Sequence, residues 1–300
     1  MTQRVLSRWL GNYIPAEPGS TVWFFRRDKI AYVSLIFLLV LFALAILAPL
    51  LTPYANEGLG DPNIANKFIA PVLAHPFGTD SLGRDLLARV LFGARTSLSM
   101  GLLVVVSAVI IGTPLGALAG YYGGWVDEVI MRVTDIFLAF PPLLLAVAIA
   151  AALGPGYVNA VIAIAITWWP WYTRLVRAQA ISLRERDFVE AARGIGVSNL
   201  TIIRRHILPN VLTPVLVQST IDIGSAILTV AGLSFIGLGP QPPIPDWGVM
   251  VNEGRLYVQS GRWWLVTFPG LAIFFTALAF NLLGDGVRDA ADPRTRGAGN

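Results

Sequence analysis

Glu190-Ala191-Ala192-Arg193-Gly194-Ile195-Gly196, followed by His206-Ile207-Leu208-Pro209-Asn210, is the stretch that decides how this sequence folds. It lies in a polar, arginine-rich segment, residues 173–210, between two long apolar runs. Soluble helices of this kind rarely survive between membrane spans unless something outside the bilayer holds them. Asp187 to Arg193 are good helix formers carrying apolar Phe188, Val189, Ala191 and Ala192. Gly194 and Gly196 break that helix and allow a turn at positive φ. Ser198 or Asn199 can then cap a second helix through Arg205, and Pro209 starts the climb into the next span. The expectation is a helix–turn–helix in which small Ala191 and Ala192 let a partner groove approach closely. Glu190 is available there to accept hydrogen bonds from a backbone or an arginine. The charge would suit nucleic acid, but a position between two membrane spans does not.

Composition points to membrane throughout. Apolar residues make up 55% of the 300-residue chain and charged residues 13%, against about 25% charged in a soluble domain. Mean hydropathy is +0.65. The absence of cysteine excludes a disulfide framework, a thiolate metal site and a cysteine nucleophile. The only histidines, His75 and His206, are too few and too far apart for a zinc site.

Six apolar runs predict six helical spans: residues 30–50, 97–121, 134–153, 158–172, 211–238 and 264–283. The first is 21 residues without a charge, about 30 Å as a helix, which matches the hydrocarbon thickness. It is longer than the apolar core of a signal peptide and lacks small residues for cleavage, so it is read as a retained anchor. The fourth run is short and ends in Trp168, Trp169, Trp171 and Tyr172, which suit a headgroup belt. Six spans put both termini on one side. With that side cytoplasmic, 16 of the 22 Lys and Arg residues lie inside, seven of them between Arg174 and Arg205. The positive-inside rule then places the Glu190 segment in the cytoplasm. The expected organisation is a cytoplasmic segment 1–29, a first span 30–51 and an extracytoplasmic loop 52–96. A five-helix core 97–284, containing the cytoplasmic loop 173–210, and a cytoplasmic tail 285–300 follow.

The pattern E-A-A, a glycine four positions on at Gly196, and Leu208-Pro209 twelve positions beyond it resembles the cytoplasmic loop of ABC importer permeases. Further motifs resemble the dipeptide/oligopeptide branch of that family. They are Phe77-Gly78-Thr79-Asp80-Ser81-Leu82-Gly83-Arg84-Asp85, Gly93-Ala94-Arg95-Thr96-Ser97-Leu98 and Gln241-Pro242-Pro243-Ile244-Pro245-Asp246-Trp247-Gly248. Phe268-Pro269-Gly270, Asn281-Leu282-Leu283-Gly284-Asp285-Gly286 and Arg288-Asp289 complete the set. Together they run from about residue 30 to 293, and the match is closest to the "C" member of the permease pair. The resemblance implies an all-α, six-span membrane protein with the type I ABC importer permease fold and a cytoplasmic coupling helix. It implies ATPase coupling through Glu190, Ala191, Ala192, Arg193, Gly196, Leu208 and Pro209. It also implies a second permease subunit in a heterodimer, two ATPase subunits, an extracytoplasmic peptide-binding protein and a bacterial or archaeal inner membrane. Two departures stand out. Members often carry an acidic residue near the position of Val230, and the general pattern has isoleucine where the peptide branch, like this chain, has His206.

Residues within the runs have two readings each. Gly112, Gly116 and Gly120 form a stripe that either packs helices closely or lines a pathway. Pro114, Pro141-Pro142 and Pro214 kink helices, with or without a gating role. Asp222 falls near the middle of the fifth run, where a carboxylate costs several kcal/mol unless it is paired or wet. It lines a translocation pathway or partners a hydroxyl or amide on a neighbouring helix. Asp135, close to Arg132, is expected to form an interface charge pair.

No G-xxxx-G-K-[ST], H-E-xx-H or G-x-S-x-G occurs, so neither a Walker A nucleotide site nor a familiar hydrolytic centre is encoded. ATP and Mg are expected on partner subunits, with no cofactor, catalytic residue or metal site on this chain. The function expected from the resemblance is import of di- or oligopeptides. Nickel or another small solute is the alternative cargo, and an ion channel or membrane enzyme is the competing class.

Overall fold

A computed structural model describes residues 28–291, so the N-terminal segment up to residue 27 and the tail from 292 lie outside the described residues. Helix α1, Lys29–Leu51, begins where the Asp28 carboxylate accepts hydrogen bonds from the backbone N–H of Ile30 (2.9 Å) and Ala31 (3.2 Å). Its buried residues, Ala31, Ser34, Leu38, Ala45 and Ala48, form one stripe, while the rest of an almost wholly apolar surface is exposed. A membrane helix packed on one side looks like this. A short helix α2, Ala55–Leu59, leads into turns.

Helix α3, Leu86–Tyr122, starts eleven residues before the apolar run, because the Asp85 carboxylate caps it at the N–H of Ala88 (2.7 Å). Its 37 residues span about 55 Å, more than the hydrocarbon layer needs. The run expected as one span at 134–153 is instead two helices, α4 (Gly124–Leu138) and α5 (Pro142–Leu153), bent by 86° at the break. Pro141 and Pro142 explain it. Neither has an N–H to continue a helical ladder, and a proline disfavours the α conformation in the residue before it.

Helix α6, Tyr157–Arg184, carries the short fourth run well past Tyr172. Then come α7, Asp187–Gly194, and α8, Asn199–Ile202, which passes through a π turn at Ile203–Ile207 into α9, Leu208–Phe235. Pro209 cannot donate to the carbonyl of Arg205, and the local register lengthens so that Leu208 N–H reaches Ile203 instead. Helices α10, Trp247–Arg255, and α11, Trp264–Ala291, complete the chain. No strand occurs among the described residues. Among the described residues, four uninterrupted helical stretches are long and apolar enough to cross a membrane, and the bent pair adds a fifth if it is counted as one span. The remaining run, 158–172, is part of α6, whose second half is too polar to qualify on composition.

The glycine stripe of α3 packs on the backbone of α6. A Cβ at Gly112, Gly116 or Gly120 would stand 2.5–2.6 Å from the carbonyl oxygens of Trp169, Thr173 and Arg177 respectively. The four-residue spacing on both helices keeps them in register, so close packing is what the stripe does.

At the opposite end of α3 from Tyr122, charges are buried. Arg84 and Arg89 are 2% and 1% exposed and share Asp80 (2.6 and 2.8 Å) and Glu253 of α10 (3.1 and 2.8 Å). Asp246 caps α10 at Val249 N–H (3.1 Å) and accepts from Ser97 Oγ (2.8 Å), while the indole N–H of Trp247 donates to the Val90 carbonyl (2.9 Å). Helix α10 is thereby clamped to α3.

Burial pushes the Asp246 carboxyl above the usual carboxylate range, against the lowering effect of its hydrogen bonds. An acid whose folded value exceeds its ordinary value of 3.8 stabilises the fold at low pH and loses that contribution as pH rises through the folded value. Asp246→Asn keeps an acceptor for Val249 and should match or exceed wild-type melting temperature at neutral pH, with the gap closing as pH falls. Asp246→Leu should lose about 1–2 kcal/mol with the cap. Thermal unfolding of purified protein across pH checks both, and a gap that widens on acidification counts against the argument.

Candidate coupling element and mid-bundle cavity

Helices α7 and α8 form the expected helix–turn–helix. Gly196 has φ +82°, its N–H reaches the Arg193 carbonyl (3.0 Å), and Val197 N–H reaches Ala192 (3.0 Å). This pair of bonds is a Schellman cap, whose left-handed position favours glycine. Gly194 is simply the last helical residue. Val189 and Ala192 face inward, into the core that also holds Ile202, Ile203 and Ile207. Ala192 therefore packs against its own chain, and of the two alanines only Ala191 is presented outward, because positions three apart share a helix face. The Glu190 side chain is exposed and makes no hydrogen bond or ion pair among the described residues. Phe188, Ile195 and Leu200 are 44%, 82% and 60% exposed on this polar segment.

Tyr121, near the end of α3, holds both arms. Its hydroxyl donates to Asn199 Oδ1 (2.9 Å) and accepts from Arg193 Nε (3.3 Å), whose guanidinium lies 4.9 Å from the ring centre. Leu208 and Pro209 are one helix further on, at the start of α9. Tyr121 is not legible in the sequence, since nothing in the spacing marks a tyrosine as the partner of an arginine 72 residues away.

The second feature is a cavity of about 790 Å³ between α6, α9 and the start of α5. Trp168, Trp171 and Tyr172 line it from α6, Gln218 and Asp222 from α9. Asp222 lies at the midpoint of its 28-residue helix and accepts from the Tyr172 hydroxyl (2.7 Å) and from Gln218 Nε2 (2.9 Å). The four aromatic residues expected at a helix end are thus mid-helix, because α6 continues twelve residues beyond Tyr172. The expected pairing of Asp135 with Arg132 is also replaced. Asp135 binds Arg174 on α6 (2.6 Å), and Arg132 lies 3.6 Å from Glu128 on its own helix. Val230, the other position of interest, is buried in the core.

The fold matches two inward-facing crystal forms of the MetNI methionine ABC transporter. TM-scores are 0.53 and 0.56 at 19% and 18% identity, covering 67% and 68% of this chain and 96% and 97% of those chains. It is the type I ABC importer permease fold. Residues 112–297 match the binding-protein-dependent transport system inner membrane component, and residues 19–81 match the N-terminal transmembrane domain of oligopeptide transport permease C. The chain is 48% identical over 271 residues to the dipeptide transport system permease protein DppC of Alkalihalophilus pseudofirmus (90% of this chain, 88% of that one). It is 48% identical over 273 residues to the glutathione transport system permease protein GsiD of Escherichia coli (91% and 89%). This chain belongs to the binding-protein-dependent transport family, as a multi-pass inner-membrane permease subunit of an ABC transporter and not an enzyme.

Proposed function

We propose that this permease imports di- and oligopeptides handed over by an extracytoplasmic binding protein, as one half of a heterodimeric pathway driven by two ATPase subunits that bind ATP and Mg. The cargo is inferred from the dipeptide and glutathione permeases it resembles. The observation that carries the coupling role is the exposed apolar set Phe188, Ile195 and Leu200, held on the helix–turn–helix. Such a surface on a polar segment suits a protein groove. Glu190, Ala191 and Arg193 lie alongside it, and Gly196 shapes the turn. Leu208 and Pro209 join it to α9.

ATP binding closes the ATPases, draws the coupling elements together and opens the pathway outward, and hydrolysis resets it. This is a population shift driven by a ligand bound on another subunit. Tyr121 transmits the movement, since it ties α7 and α8 to the end of α3. Helix α6, packed along the glycine stripe, brings the crossings to six. Both termini and the coupling element are cytoplasmic, the arrangement the Lys and Arg distribution favours. Asp222 faces the pathway.

The test reconstitutes the permease pair with its ATPases and binding protein in liposomes and follows a labelled dipeptide. Accumulation should need both Mg-ATP and the binding protein. Uptake without ATP points to a channel, and uptake of nickel in place of peptide to the small-solute branch. In intact cells, cysteines at Ala65 and Gln259 should react with an impermeant reagent, while one at Ser198 stays unlabelled. Labelling at Ser198 reverses the orientation.

A further inference from the structure

We propose that the mid-bundle cavity receives the α-ammonium of the cargo on the Asp222 carboxylate, beside the indoles of Trp168 and Trp171, and leaves the cargo's carboxyl terminus unread. The proposal rests on the peptide reading above and assigns a chemical preference to that pathway.

Asp222 has only neutral partners. Tyr172 and Gln218 donate two hydrogen bonds, while a carboxylate offers about four lone-pair positions. Among the described residues no cation pairs with it. An anion at mid-membrane without counter-charge is costly, so a mobile cation entering the cavity gains from it. The space is ample, since about 790 Å³ falls in the ~300–1,000 Å³ range of ligand sites. Indole faces favour an ammonium over a neutral group. The one cation on the wall, Arg174, is already held by Asp135 at 2.6 Å, so no free positive charge awaits a carboxylate. The resulting asymmetry suits cargo of mixed length, because the amino terminus is the same whatever follows it.

The experiment uses the complete reconstituted transporter and three tripeptides of one sequence: unmodified, N-acetylated and C-amidated. Uptake by each variant is expressed relative to wild type for the same peptide, which cancels any preference of the binding protein. Asp222→Asn should lower import of the unmodified and C-amidated peptides about tenfold and leave the N-acetylated one within about twofold. Asp222→Glu, which keeps the charge, should restore the order. Trp171→Ala is a second variant at an exposed side chain and should show the same order with a smaller loss. It carries the test should Asp222→Asn fail to assemble. Equal losses for all three peptides, or a loss confined to the C-amidated one, overturn the site. A wild-type complex that imports none of the three removes the peptide reading and the site with it. Wild-type import with equal losses in the variants removes the site alone.

Discussion

Gly116→Leu should abolish accumulation of folded permease. A Cβ there stands 2.5 Å from the Thr173 carbonyl and 2.8 Å from the Val176 Cβ, both fixed parts of α6. Neither can turn away as the tip of a flexible side chain could, so the two helices must separate. Separation breaks the contacts of Gly112 and Gly120 at the same time, and buried Tyr172, Val176 and Ala180 on the facing helix lose their packing. Overpacking a single core position costs about 1–3 kcal/mol, and a leucine on a shared helix seam stands at or beyond the upper end. Gly232→Leu is the control. It is also a helical glycine, but a Cβ there meets nothing within 4 Å. The measurement is the yield of monodisperse protein after detergent extraction, with its melting temperature. Equal behaviour of the two variants would remove the seam from its central place in the fold.

Gly196→Val should uncouple transport without harming insertion. The position has φ +82°, yet a Cβ would meet no atom within 4 Å, so the cost is backbone strain and not a clash. For a β-branched residue the strain is about 1–3 kcal/mol, enough to unmake a Schellman turn on an exposed loop. Opening the turn releases Ile195 and Leu200 from their joint presentation and loosens Asn199 from Tyr121. ATPase association and peptide uptake should each fall about tenfold, with membrane levels unchanged. Gly196→Asn separates the two possible causes, because asparagine tolerates the left-handed region and should retain most activity. Full uptake by the valine variant places the requirement elsewhere in the loop.

Much of the architecture was legible in short-range pattern. Long apolar runs located helices α1, α3, α9 and α11 within the bundle, since burial in lipid demands continuous apolar length. Two glycines and a polar interruption located the helix–turn–helix, and the acceptance of positive φ at Gly196 followed from residue type alone. The spacing of Gly112, Gly116 and Gly120 foretold a close helix contact but not its partner. Asp222 stood out by depth, since a carboxylate amid apolar residues is conspicuous without any structure.

Sequence alone determined that the chain is a helical membrane protein, which apolar runs its helices contain, and which segment turns outward between them. Each of those depends on residues within a few positions of one another. Tertiary structure decided the rest. It set the 86° angle between α4 and α5 and laid α3 against α6 along the glycine stripe. It paired Asp135 with Arg174, brought Tyr172 to Asp222 and Tyr121 to Arg193, and gathered Asp80, Arg84, Arg89 and Glu253. The partners in these contacts are up to 169 positions apart in the chain, and their meeting depends on how helices cross. Local periodicity records which face of a helix is buried, but the same periodicity fits many neighbours, and only the packed bundle selects one.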